Sequence, residues 1–499
     1  MKTITLRTLT PLAFCAVALV FAACGQKDRP AGSSDAAAAK VPVTTLSDEA
    51  RGHFMAGRAM LDDLLIVEAN AMFAKAVEAD DAFAMGHFML AQTAQSTADF
   101  FAAVNRAQDL AGGVSEGEQL AIAALYAASQ NDQAAQLDAL TKLVALYPKD
   151  ERVHMQLGNY MNGQQEFAGA VEHFTHATEI NPNFAAAFNA LGYAYRSFDD
   201  LESAKGAFAK YIELIPDEAN PYDSYAELLM EMGEYDESIA NYRKALAIDP
   251  NFAASYAGIS INESLKGEPE LAQEAADQML ARARNFAERQ AAMFRSVTSH
   301  LFAGDNDAAM DVCEVMLAEA EVKGDRAAMA GIHEYMGDMM LVAGDAAKAE
   351  EHFNAALENR MQAGFNEANK ALAERTHLFK TAIAAMVAED MEASANRAAE
   401  YSAAVQMNGT AFERRRVAEL SAYLAMSNDE HESAAVFFED ANLLDPIVLY
   451  YAALAHAELG HTEKAVDLAT RAASRNTLSP SLPFFRDEAQ ALLDELNAA

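Results

Sequence analysis

Residues 185–216 read AAAFNALGYAYRSFDDLESAKGAFAKYIELIP, between 151–182 (ERVHMQLGNYMNGQQEFAGAVEHFTHATEINP) and 219–250 (ANPYDSYAELLMEMGEYDESIANYRKALAIDP). Each stretch ends on proline, and Pro148, Pro182, Pro216 and Pro250 lie 34 residues apart. Phe188, Leu191, Gly192 and Tyr195 follow i, i+3, i+4, i+7 spacing and so share one helical face. Ala204, Phe208 and Tyr211 do the same on a second helix. Gly192 and Ala204 are small where two helices must cross closely, and aromatics fill the space beside them. Gly163 and Gly233 mark the turn between helices in the flanking units. The closing proline cannot continue the second helix and moves its predecessor out of the α region. A helical hairpin of this size cannot bury its apolar face alone, so it stacks on its neighbours.

The same positions recur around this unit. Leu157-Gly158, Ala170, Phe174, Ala177 and Pro182 occupy them before it, and Tyr222, Ala226, Ser238, Tyr242, Ala245 and Pro250 after it. This pattern resembles the tetratricopeptide repeat. The resemblance implies an all-α, right-handed α-solenoid. Weaker copies include Gly57, Ala69, Phe73 and Ala76; Gly337, Ala349, Phe353 and Ala356; Ala434, Phe438, Ala441 and Pro446; and Gly460, Ala465 and Ala472. The clearest repeats span 151–252, with further ones at 50–83, 330–363 and 415–472. The stretches 84–148, 253–323 and 364–405 keep the helix-pair rhythm but lose most signature residues. Roughly twelve hairpins are expected over 48–478. Residues 479–499 should close the array with a helix from Phe484 to Leu496, leaving Arg486, Asp487, Glu488, Asp494 and Glu495 in water.

Composition agrees with an all-α chain. Hydrophobic residues make up 52 % of the 499, Trp is absent and Pro numbers 12. The formal charge of −37 repels phosphate backbones, so no nucleic-acid partner is expected.

The N-terminus carries a separate signal. Lys2 and Arg7 precede an apolar stretch, Pro11 to Ala23, too short for a membrane span and suited to a secretory leader. It closes on Phe21-Ala22-Ala23-Cys24, which resembles the lipobox of bacterial lipoproteins, with Phe21 where Leu is usual. The resemblance implies a signal peptide over 1–23 and a lipid-anchored Cys24. Conventional cleavage nearby, leaving a soluble protein, is the alternative. Residues 24–47 then form a flexible tether, with a reach of roughly 25 Å from Gly25 to Thr45. Gly25 is not the Asp that favours inner-membrane retention, so an outer-membrane protein facing the periplasm is expected. Of Cys15, Cys24 and Cys313, only Cys313 stays free, a buried packing thiol.

Neither a catalytic motif nor a phosphate-binding loop stands out. His173 and His176 are helical neighbours without a clustered third ligand and read as surface residues. His333-Glu334 lacks a second histidine at the next turn, where Gly337 stands. No catalysis, cofactor, metal or small-molecule substrate is expected. Function then belongs to the solenoid's surface. In the resembled family the first helices line a concave groove that holds segments of partner proteins. Its counterparts are Arg152, Met155, Asn159 and Asn162; Ala186, Asn189, Tyr193 and Arg196; Asn220, Asp223, Glu227 and Met230; and Gly331, Glu334, Asp338 and Leu341. Tyr193, next to Gly192, should point into the groove and touch no core neighbour. Asn, Tyr and carboxylates suit basic or polar segments of other envelope proteins. The expected role is a membrane-tethered interaction scaffold in an envelope assembly or secretion complex. A structural subunit of a polysaccharide export or modification complex is the alternative, and an enzyme with an unrecognised site a remote one.

Overall fold

A computed structural model describes residues 40–62, 66–94, 96–476 and 482–498. Among these residues the chain is an all-α, tetratricopeptide-type solenoid without strands. Its helices are α1 Asp48–Asp62, α2 Ile66–Ala79, α3 Ala84–Gln92, α4 Thr97–Leu110, α5 Glu116–Ser129, α6 Gln133–Leu146, α7 Glu151–Gly163 and α8 Phe167–Ile180. Next come α9 Ala185–Ser197, α10 Leu201–Leu214, α11 Ala219–Glu231, α12 Tyr235–Ile248, α13 Ala253–Leu265, α14 Pro269–Leu280, α15 Phe286–Phe302 and α16 Asn306–Lys323. The chain continues through α17 Arg326–Val342, α18 Ala346–Gln362, α19 Glu367–Val387, α20 Met391–Asn408 and α21 Ala411–Ser427. It ends with α22 His431–Glu439, α23 Pro446–Glu458, α24 Thr462–Ser474 and α25 Arg486–Ala498. It divides into two compact units, one ending at Leu228 and the other beginning at Leu229, within α11.

In the first unit, successive helices pair from α1–α2 to α9–α10. The small residue of the first helix is the seat of an aromatic ring from the second. A Cβ on Gly57, Gly158 or Gly192 would come within 2.8, 2.6 and 2.7 Å of Phe73, Phe174 and Phe208. These glycines therefore make room for a ring as well as for a helix crossing. The turns of the α7–α8 and α9–α10 hairpins pass through a left-handed residue. Gln165 and Asp199 supply it at φ +62° and +66°. Gly163, expected at that turn, is the last residue of α7 instead. The next helix starts on a carboxylate cap: Asp200 accepts from the Ser203 N–H at 3.0 Å.

The second unit uses the same devices on longer helices. Gly337 seats Phe353, and Gly258 seats Tyr242 of the preceding hairpin. Helices α15 to α21 run 17–21 residues, against 13–14 for α7 to α12. The lengthening covers α15–α16 and α19–α20, where signature residues fade, but also α17–α18, which keeps Gly337 and Phe353. Cys313 is 1 % exposed, and burial pushes its thiol up to about 12. At the end of the chain a short 3-10 turn, Leu482–Phe484, precedes α25. Leu482 and Phe485 are fully buried, and Phe484 lies 5.8 Å from Tyr335, ring to ring. Arg486 is half-buried rather than fully in water: it donates to Asn476 Oδ1 at 2.5 Å and to the Tyr235 hydroxyl at 3.2 Å. Asp487, Glu488, Asp494 and Glu495 are exposed as expected. Among the described residues no helix is long and apolar enough to cross a membrane.

Candidate functional site

Residues 25–39 of the expected tether lie outside the described residues, as does Cys24. The remainder is docked rather than free. Lys40 to Leu46 runs extended along the first unit, its residues alternating between half-buried and exposed from Val41 onward. Val41 and Val43 pack against a core that includes Phe54, Phe83, Met85 and Phe88. The main chain is held by side chains of α1 and α5 and of the turn before α7. The Val41 N–H donates to Asp150 Oδ2 (2.8 Å) and the Thr44 N–H to Glu118 Oε1 (2.6 Å). Arg51 donates to the carbonyls of Val43 (2.9 Å) and Thr45 (3.1 Å). Side chains add Thr44 Oγ1 to Glu118 Oε2 (2.6 Å), Thr45 Oγ1 to Asp80 Oδ2 (2.5 Å), and an ion pair between Lys40 and Glu151. Burial holds the Lys40 ammonium below the usual lysine range, with Asp150 opposing that shift.

Each carboxylate also has a local duty. Asp150 Oδ1 caps α7 through the Arg152 N–H (2.9 Å), and Asp80 Oδ1 accepts from the Ala82 N–H (3.1 Å). Glu118 Oε2 accepts from the Ser115 N–H (3.0 Å), the third residue of a capping box at the start of α5. Asp80 and Asp150 thus offer their second oxygen to the strap, and Glu118 offers both. Sequence reading passes over these residues. The missed signal was their recurrence at the entrances of α3, α5 and α7.

Beside the strap lies a cavity of about 840 Å³. Its walls include Phe54, Met55 and Arg58 on α1, Phe88 and Gln92 on α3, Arg152 and Met155 on α7, and Asn181, Asn183 and Phe184 before α9. Hydrogen bonds to charged groups contribute about 1.5–3 kcal/mol each in sheltered positions. Ordering a residue's backbone costs about 1–2 kcal/mol.

The expected groove residues divide. Arg152 lies on the cavity wall, 3.5 Å from Glu151. Asn159 and Asn162 are half-buried, whereas Asn189 is 2 % exposed and Ala186 1 %. Neither Asn162 Oδ1 nor Asn189 Oδ1 has a hydrogen-bond partner among the described residues. Tyr193, Arg196, Asp223 and Glu227 come together farther along. The Tyr193 hydroxyl donates to Glu227 Oε2 at 2.8 Å, with Ser224 Oγ at 3.3 Å. Arg196 pairs with Glu227 Oε1 (2.9 Å) and lies over the Tyr193 ring (4.8 Å). Burial and the nearby Glu227 charge push the Tyr193 phenol well above its ordinary value, and Asp223 adds to this. Tyr193 does touch the core: its ring packs on Phe208. With no Cβ on Gly192, Phe208 slides under α9 and presents its ring to the next residue. These side chains join α9 to α11 as much as they line a surface.

Glu334, Asp338 and Leu341, also expected in the groove, are 8 %, 0 % and 0 % exposed. Asp338 faces α19 and Glu334 the last turn of α18. Both oxygens of Asp338 accept from Lys380 Nζ, at 2.8 and 3.0 Å, and Glu334 pairs with Arg360. Arg375 pairs with Glu413, and Arg416 lies over Phe379 at 4.5 Å. Burial raises Asp338 to about 7, Glu419 to about 8 and Asp445 to about 6. Asp338 is tied to its cation, Glu419 to Tyr423 and Asp445 to the start of α23.

His173 is not simply on the surface. Its Nδ1 lies 3.1 Å from His154 Nδ1, and His154 Nε2 lies 3.0 Å from the Pro148 carbonyl. His154 thus donates through Nε2 and accepts from His173 through Nδ1. His333 and His352 repeat the pair at 3.1 Å. No set of three His, Cys, Asp or Glu side chains among the described residues is arranged to hold a metal.

Comparison with known proteins agrees with the repeat fold. Residues 185–218 match a tetratricopeptide repeat model and residues 226–259 a TPR repeat model. Over 127 residues the chain is 26 % identical to UDP-N-acetylglucosamine–peptide N-acetylglucosaminyltransferase of Giardia intestinalis, covering 26 % of this chain and 9 % of that protein. Over 116 residues it is 28 % identical to Hsp70-Hsp90 organizing protein 1 of Glycine max, covering 22 % and 20 %. The chain thus spans a fifth or less of the length of these relatives. Among solved structures, a tetratricopeptide repeat protein from Parabacteroides merdae aligns with TM-score 0.38 at 14 % identity, over 54 % of this chain and 98 % of that one. PilW, a type IV pilus biogenesis factor, aligns with TM-score 0.35 at 15 % identity, over 40 % and 92 %. The chain carries tetratricopeptide repeats, which suit a protein-interaction scaffold.

Proposed function

We propose that this protein is a non-catalytic scaffold, tethered to the bacterial outer membrane through a lipidated Cys24, that holds segments of other envelope proteins in the groove of its first unit. The observation that carries the reading is the docked strap. Side chains of that groove already grip an extended polypeptide by its main-chain N–H and C=O groups, a mode that transfers to other sequences. Met55, exposed on the cavity wall, adds adaptable apolar contact, and Asp80, Glu118, Asp150 and Glu151 favour basic or hydroxyl-bearing partners. The tether rests on Phe21-Ala22-Ala23-Cys24 and its basic, apolar preamble. The polar network of Tyr193, Arg196, Asp223 and Glu227 extends the same surface toward α11.

The test has two arms. Cys24→Ser should release the protein from the membrane fraction or leave the precursor uncleaved; mature protein still in the membrane would end the anchor reading. Met55→Glu with Arg152→Ala should abolish capture of envelope proteins by the solubilised, folded chain. Unchanged capture would remove the groove from the account.

A further inference from the structure

We infer that Lys40–Thr45 is a stand-in for the groove's ligand, which is an extended segment with a cation followed, four and five residues on, by two hydroxyl side chains, and which binds by displacing the strap. This rests on the reading of the groove as a polypeptide site and adds its ligand chemistry and its regulation.

Three observations carry it. First, the hooks are built without the strap. Asp80, Glu118 and Asp150 are each anchored by a local hydrogen bond to a turn or cap, so removing Lys40–Thr45 leaves their oxygens aimed as before. Preformed hooks at the entrances of three successive hairpins describe a binding site rather than a packing accident. Second, the strap fills the site sparingly. Pro42 is exposed and Leu46 entirely so, at 103 %. The cavity runs on past Lys40 to Ile180, Asn181, Asn183 and Phe184, so a longer segment gains contacts that the strap lacks. Third, the side-chain demands are few and specific. Glu151 takes an ammonium, Glu118 and Asp80 take hydroxyl protons, and two shallow apolar seats take Val41 and Val43. The hydroxyl oxygens lie within 2.5–2.6 Å of carboxylate oxygens, so a phosphate there would meet like charge. The ligand is therefore unphosphorylated at both positions.

The experiment uses the full chain in two forms: wild type, and a released form carrying Lys40→Ala, Thr44→Val and Thr45→Val. No groove residue is changed, and thermal melting confirms that both are folded. A fluorescent peptide of sequence KVPVTT, and its version with both threonines phosphorylated, are titrated by anisotropy. The expected result is KVPVTT binding to the released form at least tenfold tighter than to wild type, with the phosphorylated peptide bound by neither. Equal affinity for the two forms would overturn the inference, because the strap would not occupy the peptide's site. Should the released form bind other extended peptides but not KVPVTT, the strap's role falls and the groove stands. Should it bind no peptide, both fall.

Discussion

The ring of Tyr193 stands edge-on to that of Phe208, centroids 5.1 Å apart and planes at 83°. Phe208 is the ring seated against Gly192, so one aromatic serves both the hairpin's closure and the residue that links α9 to α11. Tyr193→Ala should therefore cost about 2–4 kcal/mol, through lost ring contact and a Glu227 left with fewer partners. Tyr193→Phe keeps the ring and should cost only about 1–2 kcal/mol. Thermal melts of the two variants check the ordering.

Gly192→Ala makes the complementary test. Its Cβ would sit 2.7–2.8 Å from three atoms of the fully buried Phe208 ring. A loss of about 1–3 kcal/mol is expected in denaturant unfolding. Gly206, which meets nothing within 4 Å, should accept Ala with a small gain or none lost.

Gln165 and Asp199 hold positive φ at turns where Gly233 and Gly267 stand in later hairpins. Gln165→Gly and Asp199→Gly should each relieve about 1 kcal/mol of backbone strain, less the entropy that glycine adds to the unfolded chain. The expected net is a small rise in melting temperature, largest for the double variant.

The buried pair Asp338–Lys380 predicts a sign as well as a size. Lys380→Met strands a carboxylate that is 0 % exposed and should cost about 3–5 kcal/mol. Asp338→Leu with Lys380→Met should cost far less, since neither charge is then buried alone. A double-mutant cycle reads both.

Acid should loosen the histidine pairs. Burial holds His154, His173, His333 and His352 below the ordinary imidazole value, and for His173 and His333 the partner ring adds to this. A base with a lowered folded pKa contributes stability that is fully present above its unfolded value, about 6.5, and lost as pH falls below it. Melting temperature should drop as pH falls below about 6.5 in wild type and less in His154→Gln with His333→Gln.

The hairpin array was legible because its signals are local and periodic: the prolines, the small residue at Gly158 and Gly192, and the aromatic at Phe174 and Phe208 recur at constant offset. Near Ala330 the spacing from Gly337 to Phe353 is kept, yet Asp338 and Leu341, which read as groove, are buried, Asp338 against Lys380 of α19. Tyr193 was placed near the right helices but without its core contact, since spacing on one helix does not reveal how far a facing ring leans. The strap was not legible at all. Its contacts join Val41 to Asp150 and Thr44 to Glu118, 109 and 74 residues apart, through carboxylates whose local spacing already explains them as caps.

The central claim is that the first unit's groove is where partners bind. A photoreactive benzoylphenylalanine in place of Met55, 41 % exposed on the cavity wall, is compared with one in place of Phe198, 58 % exposed at a hairpin turn. Irradiated in intact envelopes, the Met55 probe should form a defined covalent adduct with a partner polypeptide, and excess KVPVTT peptide should suppress that adduct in solubilised samples. The Phe198 probe should form none. An adduct from Phe198 with none from Met55 would contradict the account and move the binding surface to the turns.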